Sequence, residues 1–324
     1  MLLRLQWSII FSTVILALCS LVLALYVPGS RQGKRLTLRY WTAPDTLMIP
    51  NNERGEAIRY GRDLIVNTAY YLGPSGKLAA ISNGMNCQNC HLEAGTKFYG
   101  NNFSAVTATY PKRSPRAGRV ISVADRINDC MQRSLCGEKL DTNSREMLAM
   151  EAYMQWLGAD VKAGERPAGT GIESLPFPQR AADSFRGAAI FLRKCSLCHG
   201  NNGMGQRNDT SAGYRYPPLW GPNSFSAQAG LFRISYLAGF IRNNMPFGTE
   251  HGAEKVTVEE CWDLAAFISS QSRPQRIFQN DWPNISEKPF DYPTGPYADS
   301  FGEKMHKYGP FPPIIDWYKL HRRQ

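Results

Sequence analysis

Cys87-Gln-Asn-Cys90-His91 and Cys195-Ser-Leu-Cys198-His199 are two copies of one pentapeptide, Cys-x-x-Cys-His, and the rest of the chain is read outward from them. The pattern is the attachment signal for c-type haem. Each pair of thiols adds to the haem vinyl groups, and the histidine beside the second cysteine reaches the iron from the proximal face. A four-cysteine zinc site and a redox-active Cys-x-x-Cys pair are the competing readings, but neither has a use for a histidine directly after each pair. Cys87, Cys90, His91, Cys195, Cys198 and His199 are therefore read as the attachment and proximal residues of two covalently bound haems.

The chain has 324 residues, enough for about two domains at ~150 residues each, so one haem falls to each domain. Covalent haem supplies apolar surface that a small domain would otherwise lack. In the first half Glu56 to Leu72 has helical spacing, Asn143 with Glu146 makes a capping-box variant, and Met147, Met150, Met154 and Leu157 form one apolar stripe. In the second half Ala182 to Arg193 leads into Cys195, Ile234 to Asn243 forms a middle helix, and Thr257 with Glu260 opens a closing helix to Ser270. The expected fold is mainly α, with two tandem cytochrome c-like domains at 41–158 and 182–272 joined by a linker at 159–181 dense in glycine and proline. Residues 273–324 are rich in proline and aromatics, lack sustained periodicity and are expected to wrap the domains as an extended strap.

Ile9 to Val27 is almost wholly apolar, close to the ~20 residues a membrane helix needs. Ala24-Leu-Tyr-Val-Pro is a poor cleavage site, so residues 1–30 are expected to form a transmembrane anchor in preference to a cleaved signal. Arg31, Lys34, Arg35 and Arg39 follow the apolar run, which by the positive-inside rule would leave the large part in the cytoplasm. Covalent haem is assembled outside the bacterial inner membrane, so the globular part is placed in the periplasm, an oxidising compartment. The formal net charge of +10 is offset in part by haem propionates. The remaining positive field suits an anionic small molecule or an acidic electron-transfer partner. No nucleic-acid-binding motif accompanies the charge, which argues against that class of partner.

The sixth position on each iron decides whether a haem only passes electrons or also supports chemistry. After the second motif, Met245 in Asn244-Met-Pro-Phe-Gly has the spacing of a cytochrome c methionine ligand; a core methionine is the alternative. Met204 is too near the attachment loop, and Met305 lies in the tail. The first half has no Met-Pro. Its Cys130, in Arg126-Ile-Asn-Asp-Cys130-Met-Gln-Arg-Ser134, sits among cations that favour a thiolate. Spacing alone leaves Cys130 open between a ligand, a disulfide with Cys136 and a buried thiol, with Met131 as the rival ligand.

From about Trp41 to Asp316 the chain resembles the dihaem thiosulfate dehydrogenases, which join two thiosulfates into tetrathionate, sometimes reversibly, and are related to the haem subunit of the sulfur-oxidising complex. The resemblance rests on Asn86-Cys-Gln-Asn-Cys-His-Leu-Glu-Ala-Gly-Thr96, Arg126-Ile-x-x-Cys-x-x-Arg-Ser134, Tyr216-Pro-Pro-Leu-Trp-Gly221, Asn244-Met-Pro246, Gly295-Pro-Tyr-Ala-Asp299 and His306-Lys-Tyr-Gly-Pro310, in that order. It implies that Cys130 is the distal ligand of the first haem and Met245 that of the second. It also implies that Arg116, Arg126 and Ser134 line the substrate site; a solvated basic surface and a helix-face serine are the alternative. The implied activity is thiosulfate oxidation at the first haem, with electrons leaving through the second to a soluble cytochrome c or a membrane-bound acceptor. A non-catalytic, membrane-anchored dihaem subunit of a respiratory complex is the other class, one that has no use for Cys130 among cations. Cys136 and Cys261 stand where relatives commonly have asparagine and alanine, and are expected as free buried thiols in preference to a Cys130–Cys136 or Cys136–Cys261 disulfide. Asn244 occupies the place of a lysine that in some relatives can ligate the second haem.

Overall fold

Each half of the molecule is built on a first and a last helix that cross so closely that only glycine fits between them. In a computed structural model, residues 40–209 and 212–321 are described. In the first half α1 (Glu53–Val66) starts at Asn52, whose side chain accepts from the Gly55 amide, and α2 (Val123–Arg133) starts at a capping box of Ser122 and Asp125. The last helix, α3 (Arg145–Leu157), packs along α1. A Cβ at Gly61 would lie 1.9 Å from the Ala149 carbonyl oxygen. Around that crossing Ile58, Leu64 and Ile65 meet the stripe Met147, Met150, Met154 and Leu157, all buried. The cap of α3 is Ser144, which accepts from the Met147 amide, and not Asn143 as the pattern with Glu146 indicates. Asn143 instead donates its amide to Asp141 in the preceding turn, a local alternative that adjacent cap-forming residues offer.

The second half repeats the plan. α4 (Ser184–Lys194) leads into Cys195, α5 (Ile234–Asn244) lies in the middle, and α6 (Val258–Ser270) opens at the Thr257–Glu260 capping box. A Cβ at Gly187 would lie 2.0 Å from the Asp263 carbonyl oxygen of α6. The Asp263 side chain is also buried, and it takes the Arg180 guanidinium fork through two 2.8 Å contacts and the Asp183 amide through a third. Since Asp183 caps α4 by accepting from Phe185 and Arg186, one carboxylate fixes both the start of α4 and its partner helix. Regular β structure among the described residues is confined to two antiparallel ribbons, β1 (Lys112–Ser114) with β2 (Arg119–Ile121), and β3 (Gln206–Arg207) with β4 (Tyr214–Tyr216).

The C-terminal segment is only partly the extended strap that its composition indicates. Up to Phe301 it runs without an α-helix, tied down by an Arg133–Asp281 fork at 2.7 and 2.8 Å and an Arg233–Asp291 contact at 2.5 Å. It then forms α7 (Glu303–Tyr308) and α8 (Pro312–His321). Pro312 and Pro313 read as breakers, yet they occupy the first turn of α8, where a missing amide hydrogen costs nothing. Phe311 and Ile314 are fully buried, and Phe311 joins Phe177 and Trp262 with ring centroids 5.2 and 5.6 Å away. Burial of each such side chain contributes roughly 1.5–3 kcal/mol, enough to hold a helix this short. The anchor expected at 1–30 lies outside the described residues, and no helix among the described residues is long and apolar enough to cross a membrane.

Replacing a helical glycine by alanine ordinarily stabilises by up to ~1 kcal/mol. Gly187→Ala is expected to do the reverse here, costing about 2–3 kcal/mol because the methyl meets backbone that cannot retreat. Thermal unfolding of the holoprotein checks this, and an unchanged or raised melting temperature would contradict the crossing described.

Candidate active site

The first attachment loop is pinned from below. Thr68 Oγ donates to the Leu64 carbonyl and accepts from the Cys87 amide at 3.0 Å, while Asn86 Oδ1 accepts from the Ala69 amide at 2.7 Å. Cys87 and Cys90 therefore sit at a fixed height over the end of α1. His91 is oriented by one contact: Nδ1 lies 2.6 Å from the Asn101 carbonyl oxygen, which can only accept. The proton is thus on Nδ1, and Nε2 keeps its lone pair. Burial pushes the imidazole pKa down to about 4, so the ring is neutral, and Phe103 stacks on it with centroids 4.4 Å apart. His199 is prepared in the same way, with Nδ1 2.9 Å from the Pro217 carbonyl and its pKa lowered by burial. A neutral imidazole with a free Nε2 next to two free thiols is the donor set that covalent haem requires, and both motifs present it. Among the described residues no cluster of three or more His, Cys, Asp or Glu could hold a metal ion, so the cysteine pairs do not converge on a zinc site.

A cavity of about 360 Å³ opens above the first loop. Cys87, Cys90 and His91 form one wall, Ile65, Ile127, Met150 and Met154 give it apolar sides, and α2 closes it with Arg126, Cys130, Met131 and Ser134. Arg126 and Cys130 are one helical turn apart, which puts Arg126 Nη1 3.2 Å from Cys130 Sγ. The facing Cys130 sulfur raises the pKa of Arg126. Ser134 caps the same helix through its amide, 2.8 Å from the Cys130 carbonyl. Cys130 and Cys136 are both free, and Cys136, in a left-handed conformation, points its thiol at the Ser224 carbonyl 3.5 Å away. Cys261 is a free thiol buried in the core of the second half.

Arg116 does not join this group. It is absent from the cavity lining, and its guanidinium donates to the Gln228 carbonyl at 3.1 Å and to the Tyr292 hydroxyl, 4.0 Å from Asp281. The rings of Trp282 and Tyr292 lie 5.2 and 5.1 Å from it, so this arginine holds the C-terminal segment. Motif order relates Arg116 to Arg126 but says nothing about which way each side chain turns. Conversely, Lys112 of β1, Arg166 of the segment between the halves, and Tyr236 of α5 line the cavity without any local sequence signal pointing to them.

In the second half Met245 follows α5 directly, its amide bonding the Ile241 carbonyl at 3.0 Å, and packs against the second core. Met204 is exposed beside Gly221. Asn244 is fully buried and donates to the Phe240 carbonyl at 2.9 Å and to the Tyr99 carbonyl at 3.2 Å. His306 is a buried packing residue, held by the Phe290 carbonyl and Asp299, and His251 bonds Asn243.

Both halves match known protein families. Residues 77–162 match the family described as SoxA/TsdA, cytochrome c domain, and residues 184–272 match the cytochrome c family. The chain is 36% identical over 242 residues to the thiosulfate dehydrogenase of Allochromatium vinosum, covering 74% of this chain and 85% of that one. It is 37% identical over 242 residues to that of Psychrobacter arcticus, covering 74% and 71%, and 34% identical over 245 residues to that of Stutzerimonas stutzeri, covering 76% of each. A solved structure, thiosulfate dehydrogenase (TsdBA) from Marichromatium purpuratum, superposes with a TM-score of 0.67 at 29% identity over 77% of this chain, which spans about half (51%) of that longer one. With two cytochrome c domains and two intact attachment motifs, the chain belongs to the thiosulfate dehydrogenase family and is an oxidoreductase carrying two c-type haems.

Proposed function

We propose that the chain is a periplasmic enzyme that joins two thiosulfates into tetrathionate at the first haem, with electrons leaving through the second to a soluble cytochrome c or a membrane-bound acceptor. The observation that carries this reading is the Cys130 sulfur, 3.2 Å from Arg126, inside the cavity that Cys87, Cys90 and His91 share. A sixth ligand that only passed electrons would need no cation at hydrogen-bond distance. The relatives named thiosulfate dehydrogenase support the choice of substrate. His91 and Cys130 would hold the first iron, and His199 and Met245 the second. When bound, the two haems supply two one-electron acceptors.

Arg126 donates to the Cys130 sulfur, which reacts as the thiolate. That thiolate forms an S–S bond with the sulfane sulfur of one thiosulfate while two electrons depart, leaving Cys130 as a Cys–S–SSO₃-type adduct with a single sulfonate charge, in which one sulfur bridges Cys130 and the sulfonate. A second thiosulfate attacks that bridging sulfur. Its bond to Cys130 breaks, tetrathionate leaves, and the electron pair returns to Cys130 as thiolate, again facing Arg126. No proton is taken up or released, so charge balance falls entirely on the cations of the cavity. The Ser134 hydroxyl is a donor available to a sulfonate oxygen in the same space.

Thiosulfate added to purified holoprotein is expected to reduce the haems, with tetrathionate appearing in the same sample. Haems that stay oxidised, and that tetrathionate does not reoxidise once reduced, would leave the chain an electron carrier. Cys130→Ala is expected to keep both haems attached and lose at least about a hundredfold in kcat/KM; full activity in that variant would end the covalent reading. Arg126→Gln should cost roughly tenfold to a hundredfold, which corresponds to one charge-assisted contact. Met245→Leu should lower the midpoint potential of the second haem by on the order of 0.1 V while the first is unmoved, as read by potentiometric titration.

A further inference from the structure

Within the cavity the one arginine on α2 that faces the chemistry is already engaged by the Cys130 sulfur. The same cavity carries two further cations, Lys112 and Arg166, which come from β1 and from the segment between the halves. Like Arg126, both side chains are solvent-exposed, but they reach the cavity from elements other than α2 and neither contacts the Cys130 sulfur. Neither forms an ion pair with any described carboxylate. The Lys112 ammonium rests 4.5 Å above the Tyr110 ring, and Tyr110 lines the cavity as well. Partial burial, then the positive charges of Arg166 and Arg126, hold the Lys112 pKa below its usual range. Three like charges thus sense one another across one space, an arrangement whose repulsion is relieved when anions enter.

The reaction assigned above has an electrostatic demand that Arg126 alone does not meet. Once the first thiosulfate is bonded to Cys130, its sulfonate remains in the cavity as an anion, and the attacking thiosulfate arrives with two more negative charges. Arg126 must at the same moment receive the thiolate that is being displaced. We propose that Lys112 and Arg166 form an outer subsite that receives the second thiosulfate dianion while Cys130 carries the first, an assignment that rests on the reaction proposed above. Tetrathionate would then span the cavity as it forms, one sulfonate toward Arg126 and Ser134 and the other between Lys112 and Arg166. The same pair sets a preference for doubly charged oxo-sulfur anions over singly charged ones at the step of discharge.

The test separates the two half-reactions in holoprotein. Quenched samples are weighed intact by mass spectrometry, which reports the Cys130 adduct directly, and tetrathionate is assayed alongside. In the double variant Lys112→Gln with Arg166→Gln, formation of the adduct should slow by less than about threefold, whereas its discharge by added thiosulfate should slow by about tenfold or more. Lys112→Arg with Arg166→Lys, which keeps both charges, should restore most of the discharge rate. Discharge equal to wild type at every thiosulfate concentration would overturn the subsite, and so would equal slowing of both half-reactions, which is the signature of long-range steering alone. Wild-type protein that forms neither adduct nor tetrathionate would overturn the underlying reaction itself.

Discussion

Two helix crossings without room for a side chain govern where everything else in this molecule sits. At Gly61 the backbone of α1 touches that of α3, and at Gly187 α4 touches α6 in the same way. Because α4 ends directly at Cys195, and because Thr68 ties Cys87 back to the last turn of α1, the thiols of each loop inherit their position from the crossing behind them. The histidines follow, each turned by a single carbonyl that fixes Nδ1 as the donor. Backbone contact is a stiffer reference than side-chain packing, since close-packed interiors transmit a displacement instead of absorbing it. A haem bonded through two thioethers and one imidazole tolerates little displacement of its three attachment points.

Electrostatics divides the basic residues into two groups. Arg133 and Arg116 share Asp281, Arg233 faces Asp291, and Arg180 forks Asp263, so these cations serve as joints between segments. Arg126, Lys112 and Arg166 converge instead on one cavity, where the hydrogen-bond partner of Arg126 is a sulfur. Ile65, Ile127, Met150 and Met154 give the same cavity apolar walls. The net charge of the whole chain describes this poorly; what matters is which cations are left without carboxylates and where.

Local pattern carried the helical framework a long way. The methionine stripe of α3, the Thr257–Glu260 box and the attachment motifs are all short-range features, and each has its counterpart in the fold. Reading failed where two local options competed or where tertiary contact decided. Ser144 took the cap that Asn143 also offers, and α8 forms because Phe311 and Ile314 are buried, although its two prolines read as an end. The active cavity shows the same divide. Cys130 and Arg126 lie one turn apart on one helix and are legible together, whereas Arg166 comes from a stretch that reads as a linker, and Arg116 turns away toward Tyr292. Side-chain direction across a tertiary gap has no signature in one dimension.

The hydrogen bond from Asn244 to the Tyr99 carbonyl reaches from the residue before Met245 to a segment that also supplies Asn101, the partner of His91. It makes the two halves unequal to a pair of independent cytochromes. Separated, each would expose a backbone or amide group that the other now satisfies, and the loop bearing Met245 would also lose the contact of His251 with the Phe98 and Tyr99 rings. The described residues from Tyr40 onward group as one compact unit accordingly. The repeated plan is thus not a pair of self-sufficient modules: cutting the chain between the halves leaves each with a contact surface that the other now covers.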